Sequence, residues 1–372
     1  EIASKKFNSC AKDWKEASSS GLKWFPYNKG GDFRKWYGNN DCIVNWQNEG
    51  NEIFNLAKAD KRNVQDYPLE LKFKPSVSWS LITSGRPAFR YKVCNLSDIA
   101  GMSFFTKEPE LLLFLGFCNS KIALSILEIL APTINFQAGD IGRLPIVDYG
   151  DNTKIIYDLV LVNIEQSRKD WDSFEASWDF TRHPLVRGAT TVAEAFAAWE
   201  AECSNRFNQL KANEEELNRI FIDIYSLQDE LTPEVEDKDV TVRKADLKRD
   251  IRSLISYAVG CMFGGYSLYK EGLIYAGGEW DYNKFENLAW QAEGKPDVME
   301  FHKGTHFFPD QDNIIPICDD EYFADDIVGR FVEFISNAYG SDTLEENMKF
   351  IADALGGKGT PLDVIRSYFL ND

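Results

Sequence analysis

The stretch from residue 23 to residue 39, KWFPYNKGGDFRKWYGN, brings cations, aromatic rings and glycines together. Its four cations, Lys23, Lys29, Arg34 and Lys35, accompany a single acid, Asp32. The pair Gly30 and Gly31 permits a turn with positive φ, so backbone amides can approach a ligand closely. Flat aromatic side chains beside cations suit a phosphate or a nucleic-acid base. The alternative is a tight turn decorated with solvated lysines.

A second cationic stretch covers residues 71–97, LKFKPSVSWSLITSGRPAFRYKVCNLS, and contains five cations and no acid. Alternating apolar and polar residues predict a β-hairpin, with Val77 and Trp79 on one face, serines on the other and a turn at residues 83–86. Such a basic ribbon can present Arg to guanine edges and Ser to phosphates; the alternative is a solvated strand face. The residues that we predict to contact DNA are Lys29, Arg34, Lys35, Lys72, Lys74, Ser84, Arg86, Arg90 and Lys92.

The charge is divided unevenly along the chain. The net charge is −18, yet residues 1–150 carry 19 basic against 16 acidic residues, and residues 151–372 carry 22 against 43. The first part is therefore close to neutral, at +3, and the second part is strongly acidic, at −21. Because local charge governs binding more than the total, an anionic partner is compatible with the first part.

Hydrophobic periodicity predicts an α+β fold of three parts. Residues 1–150 form a mixed β-rich domain, residues 151–232 a long helical spacer, and residues 233–372 a mostly α-helical C-terminal domain. Within the first part we expect a strand at residues 42–46, a helix capped by Asn119 and Ser120, and a strand-turn-strand at residues 133–147. The later helices are predicted at residues 152–178, 191–231 and 247–263, with shorter helices after residue 319.

Several classes of function find no support in the sequence. No apolar run is long enough for a membrane span and no signal peptide is recognisable, so we expect a cytoplasmic location. The seven cysteines form no CxxC pair and are expected to be reduced and mostly buried. His302 and His306 have a spacing that binds metal on a helix, but the surrounding glycine and proline disfavour a helix, so no metal site is predicted.

No catalytic residues are assigned. The glycine-rich turn that binds S-adenosylmethionine is missing, as is the NPPY-like strip that holds a target amine, and GGKGT at residues 356–360 does not fit a phosphate-binding loop. The paired carboxylates, such as Asp325 and Asp326, are better explained as helix-opening residues that complement the dipole.

Five stretches taken in order carry a family resemblance: WFPYNKGGDFRKWYGN, SWSLITSGRPAFRY, RKDWDSFEASWDF, EEELNRIFIDIYSLQDELTPEV and ISYAVGCMFGGYSL. Together they resemble the PglX adenine-specific DNA methyltransferases of BREX phage-defence systems, and the fused type IIG restriction-modification enzymes are similar. The resemblance implies a C-terminal piece of such an enzyme, with S-adenosylmethionine bound in a methyltransferase domain absent from this chain. Residues 1–150 would then be a target recognition domain that closes with NFQAGDIGRLPI.

Two hypotheses follow. In the first, residues 1–150 recognise a short sequence in double-stranded DNA and position the target adenine for flipping into the missing domain. Lys29, Arg34 and Lys35 would bind phosphates, while Arg86 and Arg90 would lie nearer the bases. In the second, the acidic helices are a scaffold that docks other phage-defence proteins, and DNA binding is secondary. A basic recognition surface would also suit an acidic DNA-mimic inhibitor from phage.

Overall fold

The computed structural model of the chain describes residue 7 and residues 10–60, 67–83, 85–292, 306–323 and 325–371. Short strands occupy the first third of the described chain and helices dominate the rest, so the expected α+β class is confirmed. The strands are β1 Trp24–Asn28, β2 Ile43–Asn45, β3 Ser76–Ser80, β4 Arg90–Lys92, β5 Leu96–Ser97 and β6 Gly101–Phe104. The helices are α1 Trp14–Ser19, α2 Gln47–Ala59, α3 Glu108–Cys118, α4 Lys121–Leu130, α5 Ala138–Ile141, α6 Thr153–Trp171, α7 Val192–Tyr225, α8 Leu247–Met262, α9 Asn283–Ala292, α10 Ile327–Tyr339, α11 Leu344–Leu355 and α12 Pro361–Asn371.

The strands form two three-stranded sheets with the orders β2-β1-β5 and β4-β3-β6. The predicted hairpin is present as the antiparallel pair β3–β4, in which Val77 faces Tyr91, and β6 pairs with the other edge of β3. All five residues of β3 are buried, including the serines that we expected at a surface. The reason is that β1 lies against the serine face: Asn28 Nδ2 donates to Ser78 Oγ at 2.5 Å and to Gly101 O at 2.9 Å.

The largest core joins the ribbon sheet to the helices that follow it. Trp79 from β3, Leu111 from α3, Val160 from α6 and Phe221 from α7 all belong to one buried cluster. Gly116 allows α3 to approach α6 closely, because a Cβ atom at this position would lie 2.8 Å from Val160 Cγ2. The packing is therefore continuous across residue 150.

A second core lies among the C-terminal helices. Most of its members come from the N-terminal half of α7 and from α8, α10, α11 and α12, and they include Trp199, Tyr257, Phe331 and Ile351. Helix α7 contributes to both cores, as its long apolar stripe predicts. Its Thr191 cap accepts from the amide of Glu194 at 3.1 Å. The helix ends at Tyr225, six residues before the predicted end at residue 231, and is followed by the left-handed Ser226.

Three local expectations are wrong. The segment 133–147 contains the short helix α5 and an isolated bridge from Asn135 to Ile82, rather than two strands. Helix α6 ends at Trp171 instead of continuing to residue 178. Cys10 and Cys94 form a disulfide, so the seven cysteines are not all reduced, although Cys118, Cys203 and Cys261 are free and buried as expected.

Among the described residues, no single helix has the length and apolar character of a membrane span. Helices α3 and α4 together reach that length and composition only across a bend of 72°. The expected capping of α4 is confirmed, since Ser120 Oγ accepts from the amide of Ala123 at 3.4 Å.

Candidate nucleic-acid interface

The loop that follows β1 is held in shape by two buried cations of the ribbon. Arg90 is 1% exposed and donates to the carbonyl of Arg34 at 3.2 Å and to Ser80 Oγ at 3.1 Å. Lys92 is buried as well, and its Nζ donates to the carbonyls of Gly38 and Asn39, each at 2.8 Å. Both cations therefore bind backbone carbonyls of residues 34–39 and hold this loop against the ribbon.

Burial disfavours the charged form of these two cations. It lowers the pKa of Arg90 to about 10, helped by the neighbouring charge of Arg34. The pKa of Lys92 lies well below its ordinary value, first because of desolvation and second because Arg90 is close. Both side chains are therefore buried parts of the fold and not exposed cations.

Arg34 and Lys35 connect the loop to the long helices. Arg34 Nη1 lies 2.8 Å from Oδ2 of the fully buried Asp170 in α6, and its guanidinium sits 5.1 Å from the Trp171 ring. Lys35 Nζ forms a buried ion pair with Glu214 of α7. In the structure these two cations, which we predicted as phosphate ligands, bind carboxylates of the helices.

Glu214 is a key residue of this junction that the sequence interpretation missed. Its Oε1 also accepts from the indole of Trp36 at 2.6 Å, so one carboxylate holds two consecutive loop residues. Glu214 lies between Leu210 and Leu217 on the apolar stripe of α7, and it is 4% exposed. A carboxylate inside an apolar stripe is the signal that could have identified it, because buried acids require a partner.

The remaining predicted contacts are dispersed. Lys72 is buried, with Nζ 4.9 Å from the Trp46 ring and 4.2 Å from the Tyr67 ring. Lys74 is 44% exposed and lies 3.8 Å from Asp13, while Lys29 is exposed. Ser84 lies outside the described residues.

One open cleft brings part of the predicted set together. We call it the N-terminal cleft; it has a volume of about 690 Å³ and lies between the β1 loop, the end of the ribbon and the segment after α7. Its lining residues are Gly31, Asp32, Phe33, Ser80, Ile82, Thr83, Gly85, Arg86, Ala88, Arg90, Glu236, Lys238 and Asp239. Of the predicted contact residues it contains Arg86 at the rim and Arg90 at the floor, whereas Lys29 and Lys74 do not line it.

Apolar tips and paired charges give this cleft its character. Phe33 is 42% exposed and Ile82 is 63% exposed, so two large apolar side chains project at the opening. Arg86 Nε lies 2.8 Å from Glu128 and its Nη1 lies 4.0 Å from Asp239. Exposed pairs of this kind exchange partners at little cost, which leaves Arg86 available to an incoming ligand.

The segment after α7 adds a further ion pair to the rim. Lys238 Nζ lies 2.7 Å from Glu236 Oε2; this hydrogen bond lowers the pKa of Glu236 and raises that of Lys238. Neither Glu236 nor Lys238 was among the predicted contacts, because only the fold brings residues 236–239 next to the ribbon. Phe33 and Ile82 were not among them either. The cleft can therefore offer two exposed apolar side chains and the guanidinium of Arg86 to a ligand.

Comparison with known proteins identifies the class to which the chain is related, that of adenine-specific methyltransferases. The chain is 45% identical over 362 residues to adenine-specific methyltransferase PglX of Lacticaseibacillus casei (strain Zhang), and the match covers 94% of this chain and 28% of that protein. It is 33% identical over 354 residues to adenine-specific methyltransferase BrxX of Escherichia coli O9:H4 (strain HS), covering 90% of this chain and 27% of that protein. No family model matches.

The chain is thus homologous to part of PglX, and the resemblance seen in the sequence motifs is confirmed. It spans little more than a quarter of the length of the curated relatives that it matches. The two alignments run along at least nine-tenths of the chain, so both the ribbon part and the helical part belong to the shared region.

Proposed function

We propose that this chain is the DNA-recognition region of an adenine-specific DNA methyltransferase, corresponding to the C-terminal part of the enzyme. The observation that carries the proposal is the homology to PglX along 94% of the chain. Because the match spans about a quarter of that protein, catalysis and S-adenosylmethionine binding are assigned to the part of the enzyme outside the matched region. On the resemblance, the parent enzyme would act in a BREX phage-defence system, a role that plating phage on strains with and without the gene would test.

The N-terminal cleft is the surface that we assign to the duplex. Phe33 and Ile82 can wedge against bases or sugars, and Arg86 can reach a base edge in a groove. The exposed cations Lys29 and Lys74 would add phosphate contacts outside the cleft. In this proposal Arg34, Lys35, Lys72, Arg90 and Lys92 act indirectly, by fixing the loops that carry the contact residues.

Fluorescence anisotropy of this chain tests the proposal. The probes are a duplex that carries the motif methylated by the full-length enzyme and a scrambled duplex of equal composition. We expect tighter binding to the motif duplex at physiological salt. Equal affinity for the two duplexes at every salt concentration would contradict sequence recognition and leave only nonspecific attraction.

Arg86→Ala is the sharpest single variant for this assay. We expect the discrimination between the two duplexes to fall by about 1–3 kcal/mol, the usual value of one base contact by arginine. Stability should be nearly unchanged, since the side chain is half exposed. Arg143→Ala is the matched control, because Arg143 is an exposed arginine of the same region that does not line the cleft. Equal behaviour of the two variants would exclude a reading role for Arg86.

Alanine variants can distinguish DNA recognition from a scaffold role of the acidic helices, provided that the substituted residues do not hold the fold together. A combined substitution of Lys29, Arg34 and Lys35 is unsuitable, because two of these cations hold the loop to the helices. Replacing Lys29, Lys74 and Arg86 by Ala removes exposed charges only. If DNA affinity and methylation of the full-length enzyme persist in this variant, the recognition proposal fails.

A further inference from the structure

A second groove, on the helical half, has an unusual charge for its surroundings. It has a volume of about 350 Å³ and lies between the end of α6, the connection to α7 and one side of α7. Five cations line this arginine groove against three acids, although residues 151–372 as a whole carry −21. The cations are Arg168, Lys169, Arg182, Arg187 and Arg206.

Three of these cations already have a carboxylate partner. Arg168 Nη2 lies 2.5 Å from Glu165 Oε2, and Lys169 Nζ lies 3.7 Å from Oε1 of the same residue. Arg187 forms an ion pair with Glu202. Glu165 and Glu202 are thus already paired with cations of the groove. The third acid, Asp172, accepts from Ser177 Oγ at 2.7 Å, and burial raises its pKa.

The other two arginines have no carboxylate within ion-pair distance among the residues that the structure describes. The Nε atom of Arg182 and the Nη1 atom of Arg206 are both shielded from solvent without a hydrogen-bond acceptor. A buried N–H group without an acceptor costs free energy, so such groups usually have a partner. Because these two atoms are shielded, a ligand in the groove can reach only the other N–H groups of Arg182 and Arg206, whose charges no carboxylate of the described residues neutralises.

Trp199 fixes one of these two guanidinium groups in place. The ring is almost completely buried, and the guanidinium groups of Arg206 and Arg187 lie 5.3 Å and 6.0 Å from its centre. Stacking on a rigid indole reduces the freedom that Arg206 would lose on binding a ligand. The groove is therefore preorganised for an anion.

We infer that the arginine groove is a phosphate-binding site, in which Arg182 and Arg206 donate to a backbone phosphate of the bound DNA. A phosphate presents oxygens in several directions, so it can accept from two guanidinium groups at once. The identity of the phosphate as part of a duplex rests on the proposed function; the site itself does not.

The test compares a variant with Arg182→Gln and Arg206→Gln against Arg219→Gln in this 372-residue chain. Arg219 is an exposed arginine of the same helix α7 that is paired with Glu216 and Asp223. Two measurements are made: the rise in melting temperature with inorganic phosphate, and duplex affinity as a function of salt. We expect the melting temperature of the double variant not to rise with phosphate. Its affinity should fall by the same factor for both duplexes, and the slope of log affinity against log salt concentration should decrease in magnitude by about 1.

The outcomes separate the two proposals. If the unmodified chain fails to discriminate between duplexes but its phosphate response depends on the two arginines, recognition fails and the phosphate site stands. If phosphate response and duplex affinity are the same in the double variant, the site is excluded. Displacement of phosphate by a polyglutamate peptide at equal concentration would also overturn the assignment, because it would show a general anion surface. Arg206→Lys, which keeps the positive charge, should retain part of the rise in melting temperature with phosphate that the double variant loses.

Discussion

At the scale of single residues, several predicted contact cations stabilise the fold through buried hydrogen bonds or ion pairs. Arg90 and Lys92 support a loop through its carbonyls, and Arg34 and Lys35 bind buried carboxylates. Sequence alone does not separate such residues from ligand-binding cations, because both occur in acid-poor stretches. Burial separates them, and it leaves Arg86 as the predicted residue at the rim of the N-terminal cleft.

The buried pair between Lys35 and Glu214 leads to a stability prediction. Lys35→Ala should lower the free energy of unfolding by about 3 kcal/mol or more, because the Glu214 carboxylate loses its counter-ion inside the fold. The double variant Lys35→Met with Glu214→Gln should recover much of this loss, since no unpaired charge then remains. Urea denaturation measures both. A loss below about 1 kcal/mol for the single variant would show that the pair is solvated.

The buried His183 makes stability depend on pH. Its ring nitrogens contact Ser253 Oγ at 3.1 Å and the amide of Leu185 at 3.3 Å, and burial, aided by Arg187, lowers its pKa to about 3. In the unfolded chain the imidazole of His183 is protonated below about pH 6.5, whereas in the folded chain it stays neutral until about pH 3. We therefore expect the contribution of His183 to the free energy of unfolding to be fully present above about pH 6.5 and to fall by about 1.4 kcal/mol per pH unit as the pH decreases toward 3.

His183→Asn is the variant that isolates this effect. Asparagine retains polar atoms at the site but does not titrate, so the slope of stability between pH 6 and pH 4 should be smaller than in the unmodified chain. The comparison is made by denaturation at each pH. Identical slopes would mean that carboxyl groups account for the whole acid response.

At the scale of elements, periodicity and caps predicted helices well and strand partners poorly. The Ser120 cap and the apolar stripe of α8 are local signals, and both helices form where the sequence places them. The pairing of β3 with β6 joins residues that are at least 21 positions apart in the chain, with β4 and β5 between them, and no local sequence signal indicates it. For the same reason the burial of the β3 serines under Asn28 was not foreseen.

The end of α7 provides a prediction at this scale. Ser226 caps the helix with φ 57° and ψ 45°, a left-handed conformation that glycine adopts without steric cost. Ser226→Gly should therefore raise the free energy of unfolding by about 0.5–1 kcal/mol, as measured by thermal or urea denaturation. Ser226→Ala is the control and should give no gain, because it keeps the Cβ atom. A gain from alanine would point to the hydroxyl rather than the backbone.

At the scale of the whole molecule, the boundary expected near residue 150 divides the charge but not the packing. Phe117 lies before it and Phe221 after it, yet their ring centroids are 5.6 Å apart in one core. The pairs that involve Asp170 and Glu214 cross the same boundary. The division into domains at 1–150, 151–232 and 233–372 stays a prediction.

We predict that residues 1–150 alone do not form a stable domain. Removing α6 and α7 exposes the apolar sides of α3 and α4 and leaves Lys35 without its buried partner. The isolated fragment should lack a cooperative melting transition in circular dichroism, whereas the 372-residue chain should show one. A sharp transition for the fragment, with dispersed amide resonances, would establish an autonomous recognition domain.

The walls of the N-terminal cleft come from sequence positions that are far apart, around residues 31–33, 80–90 and 236–239. A hybrid made by transplanting only the first 150 residues from one relative into another would inherit two walls and keep the recipient's third. If the cleft is the DNA-recognition surface that we propose, recombination that transfers a specificity intact should have crossover points beyond Asp239. New specificities within the family should then arise by substitutions in the rim loops more often than by exchange of whole segments.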